Sequence, residues 1–245
     1  GYIAGIMRNI NIADQSKLLF FNPQGRLLNT IDFPSVTNVR YFDNIVGAIS
    51  GELGLKLFDS GGNEICALGK CQYYDYESTL LKNICAAADN NILKYYTSDG
   101  VYWEKELGTE VFRAVAVDAE SGNAAVVSRS NLFIVNIYGE ILYSRTSQNG
   151  ENYTSCDIIQ ISGKVYIAAG WESDFGREVH YSERHTKGGY SIIRLNGKDF
   201  AGYYDESLNY DRWNIFTPAV MFHESQLIIQ TMDEVRSISL SSVQW

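Results

Sequence analysis

The chain has 245 residues, 45% hydrophobic and 20% charged, enough to bury roughly 70% of its unfolded surface without a disulfide or metal staple. With 29 acidic against 20 basic side chains its net charge is −9, and no run of five basic residues occurs, which disfavours a general role on nucleic acid or anionic membrane. No apolar stretch of 18 residues and no signal-peptide pattern is present, so no membrane-spanning helix is expected.

In chain order, six segments line up: "LLFFNPQGRLL" from Leu18, "LKLFDSGGNEI" from Leu55, "LKYYTSDGVYW" from Leu93, "LFIVNIYGEIL" from Leu132, "YSIIRLNGKDF" from Tyr190 and "VRSISLSSVQW" from Val235. Each places an apolar or aromatic residue seven before a turn position, held by Gly25, Gly62, Gly100, Gly139, Gly197 and, degenerately, Ser242. Three residues past the turn stands a large apolar side chain: Leu28, Ile65, Trp103, Leu142, Phe200 or Trp245. Asn, Asp and Gly tolerate the left-handed backbone of a tight turn, so each segment predicts a β-hairpin. A second column, Asn9, Asn44, Asn83, Asn123, Lys164 and Gln226, opens a strand of small or apolar residues such as "INIAD", "IVGAIS" and "ICAAAD". A further strand, such as "TNVRYF" or "SCDIIQI", precedes it. One unit is therefore four antiparallel strands, and 17 Tyr with only 3 Pro suit half-exposed sheets.

The turn positions are 37, 38, 39, 58 and 45 residues apart. A four-stranded unit of about 40 residues, repeated, is the signature of a β-propeller. The expected fold is all-β: one domain over residues 1–245, a six-bladed propeller of four-stranded antiparallel blades. Its last blade is either short or closed by the N-terminal strand "GYIAGIM". The hairpin phrase, an apolar strand, Asn or Asp, Gly, then an apolar strand, resembles propellers of the NHL or YVTN kind. The Gly-His and Trp-Asp signals of WD repeats and the double glycine of kelch are absent. The resemblance implies a shape and no particular activity.

Strand reversals put the links from fourth to first strand and from second to third strand on one face of each unit. The stretch "CQYYDYEST", 71–79, reads as the end of the fourth strand of blade two leading into blade three. The echo "AGYYDESLNYDRW", 201–213, reads the same way in blade five. The long insertion "ESDFGREVHYSERHTKG" between "KVYIAAGW" and "GYSIIRLN" falls on that face as an extended arm, and long structured insertions tend to be functional. The candidate ligand-binding set is Tyr73, Tyr74, Asp75, Tyr76, Glu77, Trp171, Glu172, Asp174, Arg177, His180, Tyr204, Asp205, Glu206 and Trp213, with Tyr203 and Tyr210 beside them. Tyr and Trp supply contact area at small rotamer cost, although tyrosine beside a carboxylate also marks ordinary solvated strand ends.

Chemistry is sparse. His180 and His185 flank Glu183, but either strand face offers two ligands where a site needs three or four. No G-x-S-x-G elbow is present and no Cys lies beside a His. Paired-carboxylate chemistry stays open as a class, although Asp75 and Asp205, on blades two and five, fall nearly opposite each other, which weighs against that pair. Cys66, Cys71, Cys85 and Cys156 show neither CxxC nor zinc spacing and read as free thiols, with Cys66 and Cys71 able to close a small loop; this usage leans towards a reducing intracellular compartment. The expected role is a non-enzymatic binding module for a protein or peptide, a basic one fitting the acidic face, or a part of a larger assembly, with no cofactor and no metal. The alternatives are a hydrolase or lyase acting on a sugar or lactone-like substrate at the channel mouth, and a glycan-binding propeller.

Overall fold

The computed structural model describes residues 3–8, 16–42, 45–78, 83–98, 101–148, 151–173, 187–196, 199–208, 218–231 and 234–245. Strands follow one another in sequence and pair antiparallel with their chain neighbours, which builds six sheets in chain order. The chain divides into two units, Gly1–Gln72 and Tyr73–Trp245.

The first unit holds two sheets. One contains β1 (Ile3–Arg8), β2 (Ser16–Phe21) and β3 (Leu27–Asp32); the other contains β4 (Val36–Phe42), β5 (Ile45–Ser50), β6 (Gly54–Asp59) and β7 (Glu64–Gly69). They share a core of Leu18, Phe20, Phe33, Val46 and Phe58, with Phe58 edge-on to both other rings. The strand expected at "INIAD" lies outside the described residues. The strand beside β2 is Ile3–Arg8, so the N-terminal segment pairs within the first sheet.

The second unit holds four sheets. These are β8 (Tyr73–Ser78), β9 (Asn83–Asp89), β10 (Ile92–Thr97), β11 (Tyr102–Glu106); then β12 (Phe112–Val117), β13 (Ala124–Ser128), β14 (Asn131–Val135), β15 (Ile141–Thr146). The next has β16 (Glu151–Ile161), β17 (Lys164–Ser173), β18 (Lys187–Asn196) and β19 (Asp199–Leu208), and the last only β20 (Ala219–His223), β21 (Gln226–Gln230) and β22 (Val235–Ser239). These three are the strands of the last sheet among the described residues.

Small residues explain the layering. Second strands such as "IVGAIS" and "AAVVS" are buried at every position, because a sheet covered on both faces takes a continuous apolar run. Fourth strands such as β11 alternate, one side chain half-buried and the next exposed. The hairpin turns repeat one device. The side-chain oxygens of Asn22, Asp59 and Asn136 each accept the backbone N–H groups two and four residues on, at 2.8–3.0 Å. Gly25, Gly62 and Gly139 follow with φ of 77°, 84° and 79°. A Cβ on Gly62 would also stand 2.8 Å from the Phe20 ring.

In the second unit the first strands are tied to one another by carboxylates. Asp75 of β8 accepts the Val117 N–H at 2.9 Å, Asp118 accepts that of Gln160 at 2.9 Å, and Asp157 of β16 accepts that of Phe222 at 2.5 Å. Burial, and then the nearby Asp75 and Asp118 charges, push the Asp157 carboxyl up to about 7 against its two backbone hydrogen bonds.

Candidate functional site

The sheet β16–β19 is the one that departs from the common plan. Its strands run 10 or 11 residues, whereas those of the neighbouring sheet run 5 or 6. β17 and β18 stay paired to Ser173 and Lys187, so the insertion 174–186 leaves from the far end of this hairpin. A β-strand must bury or bond the length it adds, and here aromatic and acidic side chains do so.

The run Tyr203–Glu206 divides between two faces because successive strand residues point oppositely. On one face, Trp171 is 2% exposed and its indole N–H donates to Asp205 at 3.1 Å. The Ser191 hydroxyl donates to the same oxygen at 2.9 Å and shares a hydrogen bond with the Tyr203 phenol at 3.1 Å. Gly189 faces Trp171 in the register, and a Cβ there would stand 2.2 Å from the indole and 2.4 Å from the Glu206 carbonyl oxygen. From the preceding sheet, the Arg145 guanidinium lies 3.6 Å over the Tyr203 ring, and Tyr143 stacks on Phe200 at 5.8 Å. Burial and the Asp205 charge raise the Glu151 carboxyl above its usual range.

On the other face, Glu206 accepts hydrogen bonds from the phenols of Tyr190 and, at 2.9 Å, Tyr204. Arg236 of β22 reaches Glu206 at 3.5 Å and Glu234 at 2.6 Å. Hydrogen bonding to Glu206 raises the Tyr204 phenol, and burial, then the same carboxylate, raises that of Tyr190. Beside them opens a cavity of about 540 Å³, lined by Tyr204, Glu206, Arg236, Ser237, Ile238 and Gln244 among others. It lies along β19 and β22. Trp245 packs beside this region, under Arg194 at 4.4 Å and against Tyr166 at 5.7 Å.

The two tyrosine stretches therefore occupy unlike positions. Tyr73–Glu77 belongs to β8, the first strand of its sheet, and is not the end of a fourth strand. The chain turns earlier: β7 stops at Gly69, whose φ of 69° suits a turn. Tyr74 and Tyr76 are 3% and 2% exposed, Tyr73 is 42% exposed, and Asp75 binds the backbone of β12. Glu77 is half-buried on the Tyr73 side of the strand. Tyr204, Asp205 and Glu206 lie in a fourth strand as expected, where Trp171 joins Asp205, and Glu172 meets Arg113 of β12 at 3.8 Å. Asp174, Arg177, His180, Tyr210 and Trp213 lie outside the described residues. Sequence reasoning passed over Tyr190, Ser191, Arg145 and Arg236. The first two were discoverable, because the hairpin register about Gly197 sets Tyr190 opposite Glu206 and Ser191 opposite Asp205. All four cysteines are free, with Cys85 and Cys156 buried. Among the described residues no helix is long and apolar enough to cross a membrane.

No protein-family model matches this chain, and no curated protein matches it in sequence. Among solved structures it is similar to Kluyveromyces lactis Hsv2, a β-propeller protein, with a TM-score of 0.56 over 96% of this chain and 80% of that one at 9% identity. The likeness shows a propeller-like fold.

Proposed function

We propose that the chain is a single-domain, six-bladed propeller with blades of the NHL or YVTN kind, working as a non-enzymatic module that binds a protein or peptide. The observation that carries this reading is the elongated sheet β16–β19, whose added length ends in the insertion 174–186. Its rigid aromatic groups are held by carboxylates: Trp171 on Asp205, and Tyr190 with Tyr204 on Glu206. The buried Trp171 and Tyr190 brace the sheet that carries the insertion, and carboxylates held in place suit Lys or Arg of a basic partner. Of the other candidate residues, Asp174, Arg177, His180 and Trp213 belong to the proposed binding surface as well, whereas Tyr74 and Tyr76 are buried and Asp75 holds the backbone of β12, which leaves Tyr73 as the exposed aromatic of that stretch.

The test is capture of partners from the source cell by the intact chain and by a chain in which residues 174–186 are replaced with a tight turn. A partner held by the first and lost by the second is the expected result. Equal capture by both would remove the insertion from the binding surface.

A further inference from the structure

In the second unit a line of aspartates joins each sheet to the next. Asp75 of β8 accepts the Val117 N–H of β12, and Asp118, the next residue along, accepts the Gln160 N–H of β16, both at 2.9 Å. Asp157, three residues before Gln160, accepts the Phe222 N–H of β20 at 2.5 Å and the N–H of its neighbour Ile158 at 2.8 Å. The strand that receives one link thus carries or adjoins the carboxylate of the next. Among the described residues neither Asp118 nor Asp157 takes part in an ion pair.

The elements packed on β16 are β12, β13, β17 and β20. β13 carries no titratable side chain, and Arg113 of β12 is engaged by the Tyr153 carbonyl and by Glu172, at the other end of β16. On β17, Ala168 stands opposite Asp157, while Tyr166 and Lys164 lie two and four residues further along the register. At about 3.3 Å per residue those offsets are roughly 7 and 13 Å. On β20, His223 follows Phe222 and is exposed. The charges that bear on Asp157 are therefore those of Asp75 and Asp118, and together with burial they favour its neutral form.

We propose that Asp157 is a proton-operated latch of the last sheet: its protonated carboxyl holds β20 against β16, and its ionisation loosens β20–β22 while the other sheets of the unit stay closed. The link to Phe222 is the one that Asp157 makes across a sheet boundary, so β20 is the element that its charge releases. In the closed state ionisation sets a further negative charge beside Asp75 and Asp118 away from water. Once β20 parts from β16, Asp157 meets water and titrates as an ordinary carboxyl near 3.8, against about 7 when closed. Closing thus takes up a proton between those values, so the open population grows as pH rises through that window and levels off above it. The device is independent of the insertion and of any partner that the chain binds.

The experiment is amide hydrogen exchange on the full chain, corrected for the intrinsic pH dependence of exchange, with β20 and β21 compared against β13 and β14. Opening of β20 and β21 is expected to rise about tenfold or more between pH 5 and 7 relative to β13 and β14, and to flatten by about pH 8. Asp157→Asn keeps an oxygen for the Phe222 N–H and removes the charge, so its opening should not change with pH over that range. If the variant does not fold, carboxyl-carbon NMR of Asp157 in the unaltered chain decides the matter: a titration midpoint near 7 supports the latch, and one near 4 overturns it. An equal pH response in β13 and β14, no response in β20 and β21, or a response that persists in Asp157→Asn would also overturn the proposal.

Discussion

The sheets β12–β15 and β16–β19 share a plan and differ in reach. Both have a buried small-residue second strand, with Ala125 and Val126 in one and Ala168 and Ala169 in the other. Both have a first strand tied to its neighbour by an aspartate. The shorter sheet is filled with aliphatic side chains such as Val127, Leu132 and Ile134. The longer one buries Tyr153, Trp171 and Tyr190 towards the end of its added length. All three bring a polar tip with them, and for two of them a carboxylate on β19 takes it: Asp205 for Trp171, Glu206 for Tyr190. Extending a sheet past its aliphatic core thus changes the kind of interaction that holds it, from area alone to area plus directed hydrogen bonds.

The sharpest way to break the comparison is Trp171→Ala. It removes a large buried side chain and leaves Asp205 with Ser191 as its remaining donor of the two, so a loss of about 3–5 kcal/mol is expected in denaturant unfolding. Ile134→Ala in the shorter sheet should cost about 2–5 kcal/mol. A Trp171→Ala loss far below the Ile134→Ala one would mean that the extension opens independently of the core.

Next in size is the pH response. Asp157 has its folded pKa raised to about 7 from an ordinary 3.8, so its contribution is fully present below about pH 4 and disappears as pH rises through 7. The protein should therefore lose stability, on the order of a few kcal/mol at most, between pH 5 and 8, with Asp157→Asn flattening that slope. Glu110 has the opposite sign. Burial alone would raise it, but hydrogen bonds from Ser128, Ser130 and Asn131 outweigh that and lower its pKa. Its contribution is present above the ordinary Glu range and is lost as pH falls through the folded value, which Glu110→Gln should reveal as a weaker acid limb in thermal melts. A smaller effect is expected from Gly189→Ala, where a Cβ meets Trp171 and the Glu206 carbonyl: about 1–3 kcal/mol by overpacking. Smallest, Asn136→Ala removes the one side-chain oxygen that accepts two backbone N–H groups in an exposed turn and should cost about 1 kcal/mol in the same melts.

Much of the sheet pattern was legible because turn chemistry is local. Asn22, Asp59 and Asn136 announce the same turn wherever they occur. The residues seven before the turn glycine, Leu18, Leu55, Leu93, Leu132 and Tyr190, are all fully buried. The column fails at Val235, where the turn residue is Ser242 and, among the described residues, no fourth strand covers β22. Tyr73–Ser78 was misplaced because the end of a fourth strand and the start of a first one alternate alike, and only Gly69 and the three residues after it separate them. The strand read at "INIAD" from the Asn column lies outside the described residues, and Ile3–Arg8 is the strand that pairs with β2. The site was less legible for a geometric reason. Which of Tyr203–Glu206 meets Trp171 and which meets Tyr190 depends on register, and a slip of one residue exchanges the two faces.

The doubled strands of β16–β19 also set a rule for growth. Side chains alternate, so a strand lengthened by two residues keeps every existing side chain on its face, while one lengthened by a single residue turns part of the pattern inside out. Four paired strands must lengthen together, or a new end stands with its amides unpaired. The tower that carries 174–186 is therefore adjustable in steps of two residues per strand, close to 7 Å of height at about 3.3 Å per residue. A shortened tower would lower the base of the insertion by that same step and leave the rest of the sheet unaltered.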